Sequence, residues 1–118
     1  MRTRDAASPL SIRLRFSEET RLGPGKIALL EAVARTGSIA AAGRELGMSY
    51  RRAWLLIDQL NQALQQPAVL TATGGAHGGG ASLTPVGEEV VRRYRAIEST
   101  ARLAAAADIA ALTRLLAP

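Results

Sequence analysis

Three consecutive side chains, Tyr50, Arg51 and Arg52, follow directly after the segment Gly47-Met48-Ser49. A guanidinium group is planar and forms paired hydrogen bonds with a phosphate or with the edge of a guanine base. A tyrosine can stack on a sugar or contact the methyl group of thymine. These residue types therefore have the chemistry of a nucleic-acid contact. The alternative is a solvated basic turn between two ordinary helices.

Two predicted helices position this cluster. Ser38 is the expected N-cap of a short Ala-rich helix, and Ser49 is the expected N-cap of a longer helix over residues 50–64, because a serine hydroxyl accepts a hydrogen bond from a free N–H of the first turn. Two helices joined by a tight turn form a helix-turn-helix, whose second helix brings its N-terminal residues to the base edges. The DNA-contacting residues predicted here are Ser38, Ser49, Tyr50, Arg51 and Arg52.

A glycine cluster lies inside a predicted β-hairpin over residues 69–84. Glycines at a hairpin tip let main-chain N–H groups approach phosphate closely, as in the wing of a winged helix. Within this tip we expect backbone contacts from Gly75, His77, Gly78 and Gly79. A merely flexible hairpin, with His77 a solvated loop residue, is the alternative. A nucleotide-phosphate loop is disfavoured because the sequence contains neither GxGxxG nor GxxxxGK[ST].

The remaining patterns give the element order. Residues 10–16 alternate apolar and polar side chains, which predicts a half-buried strand that needs a partner strand. A helix follows from Pro24 to Gly37, and Thr84 with Pro85 starts a long final helix. We therefore predict a mainly α fold with a small β-hairpin. Its domains are a flexible N-terminus (1–9), a winged helix-turn-helix (10–84) and a C-terminal helical dimerisation segment (85–118).

The final helix carries an apolar stripe that must pack against another apolar surface. Val90, Tyr94 and Ile97 belong to this stripe, and we expect them at a homodimer interface, because helix-turn-helix proteins commonly bind two-fold half-sites. The alternative is that the helix folds back on its own core. For Trp54 we expect packing against the wing or the final helix rather than stacking on a base.

Composition narrows the function classes. The 118 residues include 15 Lys plus Arg against 10 Asp plus Glu, giving a net charge of +5. Excess arginine suggests a polyanionic partner such as double-stranded DNA, although a GC-rich genome would also encode it. The absence of Cys and the single His exclude disulfides, Cys-ligated zinc and multi-histidine metal sites. We expect no cofactor, no metal and no enzyme activity, and we interpret the pairs Glu18-Glu19 and Glu88-Glu89 as solvated faces.

The longest apolar stretches are too short for a membrane span, and no secretion signal follows the N-terminus. We therefore expect a cytoplasmic protein without a membrane partner.

Two runs of residues resemble one family. The run Gly37-Ser38-Ile39 to Ala42, continued by residues 47–54, is similar to the helix-turn-helix of the ModE-type molybdate-responsive transcriptional regulators. Residues 72–75, 78–81 and 83–87 resemble the wing of that family and the start of its next helix. The helix-turn-helix part also resembles the LysR-type pattern. The resemblance covers about residues 10–100.

The resemblance implies a winged helix-turn-helix that is dimeric on DNA and regulates molybdenum transport or molybdoenzyme genes. Full-length members carry C-terminal molybdate-binding domains, which we expect this chain to lack. The chain would then be either a stand-alone regulator or one whose effector arrives through a separate molybdate-sensing partner protein. The competing hypothesis is a small oxyanion-binding or partner-binding module that does not read DNA.

Overall fold

A computed structural model describes residues 9–72 and 80–118 of the chain. Its strands are β1 (Leu14–Arg15), β2 (Arg21–Leu22), β3 (Val69–Ala72) and β4 (Gly80–Leu83). Its helices are α1 (Pro24–Thr36), α2 (Ile39–Glu45), α3 (Tyr50–Ala63), α4 (Pro85–Ala104) and α5 (Ala106–Leu115). The predicted class, mainly α with a small β-hairpin after three helices, is confirmed.

The N-terminal strand is shorter than predicted. Only Leu14–Arg15 pairs, and its antiparallel partner is the next strand, Arg21–Leu22. The chain reverses between them because the Ser17 hydroxyl accepts a hydrogen bond from the Thr20 N–H at 3.0 Å. The alternation over residues 10–16 identified a strand, but the short turn limits the ladder to two residues on each side.

The helix ends form where local signals predict them. Gly37 ends α1 at a φ of 76°, and Gly47 ends the turn after α2 at a φ of 73°, conformations that cost glycine little. The Ser38 hydroxyl accepts a hydrogen bond from the Ala41 N–H at 3.1 Å, and the Ser49 hydroxyl accepts one from the Arg52 N–H at 3.1 Å. Such caps each stabilise a helix by about 1 kcal/mol.

The helix-turn-helix is closely packed at Gly43. A Cβ at this position would lie 3.2 Å from the Cβ of Ala53 and 3.4 Å from the carbonyl oxygen of Met48. The absence of a side chain therefore brings α2 against the first turn of α3. Behind this crossing lies one apolar core, made of Ile27, Leu29, Leu30, Ala32, Val33, Ile39, Ala42, Ala53, Ile57, Leu60, Ala68, Val69 and Tyr94.

The hairpin β3–β4 is fixed to the rest of the fold at both of its described ends. The N–H of Ala81 donates to the carbonyl oxygen of Gly37 at 2.9 Å, which joins β4 to the end of α1. At the other end the Thr84 hydroxyl caps α4 by accepting from the Gly87 N–H at 3.0 Å and donates to the Pro67 carbonyl at 2.7 Å. The predicted cap at Thr84 is confirmed, and the tip of the hairpin starts from a fixed base.

The last two helices differ in how they are packed. α4 contacts the core through Tyr94, whereas α5 buries none of its residues. Large apolar side chains of this region are exposed, namely Leu103, Leu112, Leu115 and Leu116. In residues 9–72 and 80–118, no helix is long and apolar enough to cross a membrane.

Candidate nucleic-acid interface

The outer face of α3 carries the predicted contact residues Tyr50, Arg51 and Arg52, which we call the reading cluster. Ala53, Ile57 and Leu60 turn inward and hold the helix on the core. Tyr50 on the opposite face is 58% exposed, and Arg51 and Arg52 are also exposed. The structure therefore brings the three predicted contact residues to the surface at the N-terminal end of one helix.

Arg51 and Arg52 are available for an outside partner. Within the part of the chain that the structure describes, neither guanidinium forms an ion pair with a carboxylate. Both line a groove of about 320 Å³ along α3, together with Ser49, Leu55, Leu56 and Gln59. Two cations beside a groove attract a polyanion when, as among the described residues, no carboxylate already neutralises them.

Other arginines are neutralised within the fold. Arg95 forms a bond of 2.7 Å with Glu31, from α1, and one of 2.6 Å with the buried carboxylate of Glu98. The hydrogen bonds that Arg95 donates to Glu31 raise the pKa of Arg95, and the bond that it donates to Glu98 raises it further, so this guanidinium stays charged in its structural role. Other ion pairs join Arg35 with Glu45 and Glu89 with both Arg92 and Arg93.

The hydroxyls of Ser38 and Ser49 cap helices and can still donate a hydrogen bond. Ser38 and Ser49 each accept a hydrogen bond as N-caps of α2 and α3. An accepting hydroxyl still has its own proton to donate, for instance to a phosphate oxygen. Both serines therefore lie at helix starts with one donor left.

Trp54 is only partly covered. The side chain is 43% exposed on α3, on the same helix as Tyr50. Exposed aromatic and apolar side chains of α3, namely Tyr50, Trp54 and Leu55, thus lie beside the two arginines.

The expected backbone contacts of the wing, Gly75, His77, Gly78 and Gly79, lie outside the described residues. The structure does describe the base from which they extend. Gly80 is part of this base, since a Cβ there would lie 3.1 Å from the carbonyl oxygen of Gly37.

Asn61 is a residue that the sequence analysis missed. Its amide oxygen accepts hydrogen bonds from the N–H groups of Ala68 at 2.8 Å and Val69 at 3.1 Å. Its amide nitrogen donates to the carbonyl oxygen of Val69 at 3.1 Å. One side chain of α3 therefore fixes the start of β3. The only sequence signal for this role is that an Asn stands a few residues before a predicted strand.

The three residues expected at a dimer interface have different environments. Tyr94 is 1% exposed and packs in the core of its own chain, and its side chain also lines the floor of the groove described next. Val90 is half-buried, and Ile97 is 41% exposed. Val90 and Ile97 border an apolar groove of about 480 Å³, whose other lining residues include Leu14, Phe16, Leu22, Leu64 and Val86.

No group of three or more His, Cys, Asp or Glu side chains that could hold a metal occurs among the described residues. The chemistry of this surface is that of cations, hydroxyls and aromatic rings.

Comparison with known proteins identifies the family and the fold of this chain. Residues 25–88 match a protein family described as "Bacterial regulatory helix-turn-helix protein, lysR family". A solved structure titled "Crystal structure of CbnR_DBD-DNA complex" superposes with a TM-score of 0.56 over 75% of this chain and 95% of that chain, at 24% identity. This likeness shows that the fold is that of a winged helix-turn-helix domain.

Curated relatives share more of the sequence. The molybdenum-pterin-binding protein MopB of Rhodobacter capsulatus is 51% identical over 79 residues, which are 67% of this chain and 29% of the relative. MopA of the same organism is 40% identical over 75% of this chain and 33% of its own length. The DNA-binding transcriptional dual regulator ModE of Escherichia coli K12 is 36% identical over 70% of this chain and 32% of its own length.

The chain thus spans about a third of the length of the curated relatives that it matches. The matched part includes the helix-turn-helix and the base of the wing. The chain belongs to the lysR family of bacterial regulatory helix-turn-helix proteins, and the curated relatives that it resembles are molybdenum-related regulators of the ModE type.

Proposed function

We propose that this chain is a sequence-specific regulator of molybdenum transport or molybdoenzyme genes, and not an enzyme. The observation that carries the proposal is the exposed cluster Tyr50, Arg51 and Arg52, free of carboxylate partners in the described structure, at the start of α3. The link to molybdenum genes is supported by the names of the relatives. A cytoplasmic location follows from the same proposal.

In the proposed complex, the N-terminal end of α3 enters the major groove, which is about 12 Å wide and admits a helix. Arg51 and Arg52 would form paired hydrogen bonds with guanine edges or with phosphates. Ser38 and Ser49 would donate their free hydroxyl protons to backbone oxygens. The glycine-rich wing would contact the backbone through its main-chain N–H groups.

The regulator would act as a homodimer. Val90 and Ile97 border an apolar groove on the α4 side of the protomer, and an apolar groove of this kind is stabilised when a second copy covers it. Two reading helices would then contact half-sites about 34 Å apart, which is one turn of the duplex. Molybdate would be sensed by a separate partner protein.

A fluorescence-anisotropy titration tests the proposal. The labelled probes are fragments from upstream of molybdate-transport genes and a scrambled duplex of equal length, each with and without molybdate. We expect the wild-type chain to prefer at least one upstream fragment, and we expect Arg51→Ala and Arg52→Ala each to weaken this complex. Arg114→Ala is a matched control, since Arg114 is exposed on α5, a helix that buries none of its residues.

Equal affinity of the wild-type chain for all duplexes would contradict sequence-specific reading. Failure to bind any duplex would favour the competing module that binds oxyanions or protein partners. Calorimetry of the chain with molybdate, with sulfate as the control ion, would then identify an oxyanion site directly.

A further inference from the structure

A cationic pocket lies on one flank of α3 and shares Arg52 with the cluster Tyr50, Arg51 and Arg52. It has a volume of about 260 Å³ and forms where the β1–β2 hairpin, the start of α1 and the first half of α3 meet. Its charged lining residues are Arg13, Arg21, Lys26 and Arg52. The remaining lining consists of Gly23, Pro24, Gly25, Met48 and Leu56. We refer to this feature as the hairpin pocket.

The positive charge of the hairpin pocket is largely uncompensated. In the described ranges, Arg13, Lys26 and Arg52 have no carboxylate in an ion pair, and Arg21 has only Glu18, at 3.9 Å. The Glu18 side chain is itself 85% exposed. Four cations therefore converge on one cavity with a single distant and solvated counter-charge, which favours binding of an anion.

Lys26 is held in place within this group. Its Nζ donates a hydrogen bond of 2.9 Å to the carbonyl oxygen of Arg21, so one ammonium proton is used and two remain. Partial burial lowers the pKa of Lys26, and the charge of Arg21 lowers it further. An anion in the pocket would relieve both effects, because it stabilises the charged form of the lysine.

The main chain at the start of α1 adds to the same environment. The N-cap residue is Gly23, which has no side chain to cap the helix, and the first turn contains no acidic residue. Gly25 faces open space, since a Cβ built there would meet no atom within 4 Å. The first turn of α1 thus offers no competing anion of its own.

The position of the hairpin pocket indicates its ligand. Arg52 and Leu56 line both this pocket and the groove along α3 that carries Arg51. An anion in the hairpin pocket would therefore lie beside a ligand bound in the groove along α3. A duplex presents phosphates at the edges of its major groove, so a helix in that groove has phosphates on its flanks.

We infer that the hairpin pocket binds a tetrahedral phosphate oxyanion, and that this oxyanion is a backbone phosphate of the duplex read by α3. The inference rests on the proposed DNA binding and adds Arg13, Arg21 and Lys26 to the proposed contacts, three residues that belong neither to the cluster Tyr50, Arg51 and Arg52 nor to the wing. Arg13, Arg21 and Lys26 fix the register of the protein on the duplex and carry no sequence information.

The test compares charge-neutral variants of the pocket, Arg21→Gln and Lys26→Gln, with the control Arg114→Gln. Affinity is measured for a preferred and a scrambled duplex across a series of salt concentrations. We expect each pocket variant to weaken both complexes to the same extent, by about 3–10-fold, and to lower the slope of log K against log salt by about 0.9. Arg21→Lys and Lys26→Arg should restore most of the affinity, and circular dichroism should show an intact fold.

A neutral methylphosphonate placed at single positions of the duplex locates the contacted phosphate. At that position, we expect substitution to weaken binding of the wild-type chain and to have little further effect on Lys26→Gln. A control position, contacted from elsewhere, should weaken both proteins equally.

The outcomes separate the two proposals. If the wild-type chain binds DNA but the pocket variants keep its affinity and salt slope, the pocket assignment is wrong and the proposed function stands. If the wild-type chain binds no duplex, both are wrong. Micromolar binding of inorganic phosphate that is lost in Lys26→Gln, with an unchanged salt slope on DNA, would assign the pocket to a free anion and overturn the inference.

Discussion

The phenol oxygen of Tyr94 donates a hydrogen bond of 2.6 Å to the carbonyl oxygen of Ile12. This contact joins the middle of α4 to the segment before β1, 82 residues apart in the chain. It explains why Tyr94 is a core residue although it belongs to the apolar stripe of α4. The N-terminal hairpin and the final long helix thereby form one side of the protomer.

Replacing Tyr94 by Phe should destabilise the fold by about 1 kcal/mol at neutral pH, since the ring stays buried and one hydrogen bond is lost. Urea unfolding followed by circular dichroism measures the difference. An unchanged free energy of unfolding would mean that the hydrogen bond to Ile12 contributes nothing.

The same variant reports on alkaline stability. Burial raises the pKa of Tyr94, with a further increase from the charge of Glu98, while Arg95 and Arg13 act in the opposite direction. A raised pKa means that the folded state favours the protonated phenol, so this stabilisation is complete below the ordinary pKa of about 10 and is lost as the pH rises beyond it. Stability of the wild-type chain should therefore fall above pH ~10 more steeply than that of Tyr94→Phe. Parallel curves for the two proteins would contradict this.

Asn61→Ala should destabilise the chain by about 2–3 kcal/mol, because the backbone N–H groups of Ala68 and Val69 lose their acceptor. The control is Gln62→Ala, since the Gln62 side chain is exposed and, among the described residues, donates a hydrogen bond to Asp58 on the same helix. Thermal unfolding of both variants measures the effect. Similar midpoints for the two variants would show that water replaces the Asn61 amide at no cost.

Gly87→Ala should destabilise the chain by about 2–3 kcal/mol through overpacking. The new Cβ would lie 2.2 Å from the carbonyl oxygen of Ala68, which is backbone and cannot rotate away. Gly25→Ala is the matched control, because open space surrounds that helical position and the change should stabilise the fold by about 0.5 kcal/mol. Equal stability of the two variants would mean that α4 can shift away from Ala68.

A dimer should form through the apolar groove at Val90 and Ile97. Sedimentation at micromolar concentration should give a species near twice 12.4 kDa for the wild-type chain. Ile97→Glu places a charge on this surface and should give a monomer with weakened binding to two-half-site DNA. Ser99→Glu is the control on the exposed surface of the same helix. A wild-type monomer, or a dimer that survives Ile97→Glu, would rule out this interface.

Sequence reasoning succeeded where the signal is local. The caps at Ser38, Ser49 and Thr84 and the left-handed end at Gly37 each depend on a side chain and the adjoining turn of backbone. It was incomplete at Tyr94, because periodicity shows which residues share a helix face but not what covers that face. Asn61 was missed because its partners lie in a later strand.

The hairpin pocket could not be predicted for a related reason. Arg13 directly precedes β1, Arg21 lies in β2, Lys26 lies at the start of α1 and Arg52 lies in α3. No spacing in the sequence relates these four residues, since their proximity depends on how the hairpin folds against the helices.

Helix α1 connects the hairpin pocket at its start with the base of the wing at its end. Its last residue is followed by Gly37, whose carbonyl oxygen holds β4 and hence the wing, while its first turn forms part of the hairpin pocket. The two attachment points are separated by 13 helical residues, about 20 Å at 1.5 Å per residue. In the proposed complex, the length of α1 would therefore set the distance between the phosphates at the hairpin pocket and those beside the wing.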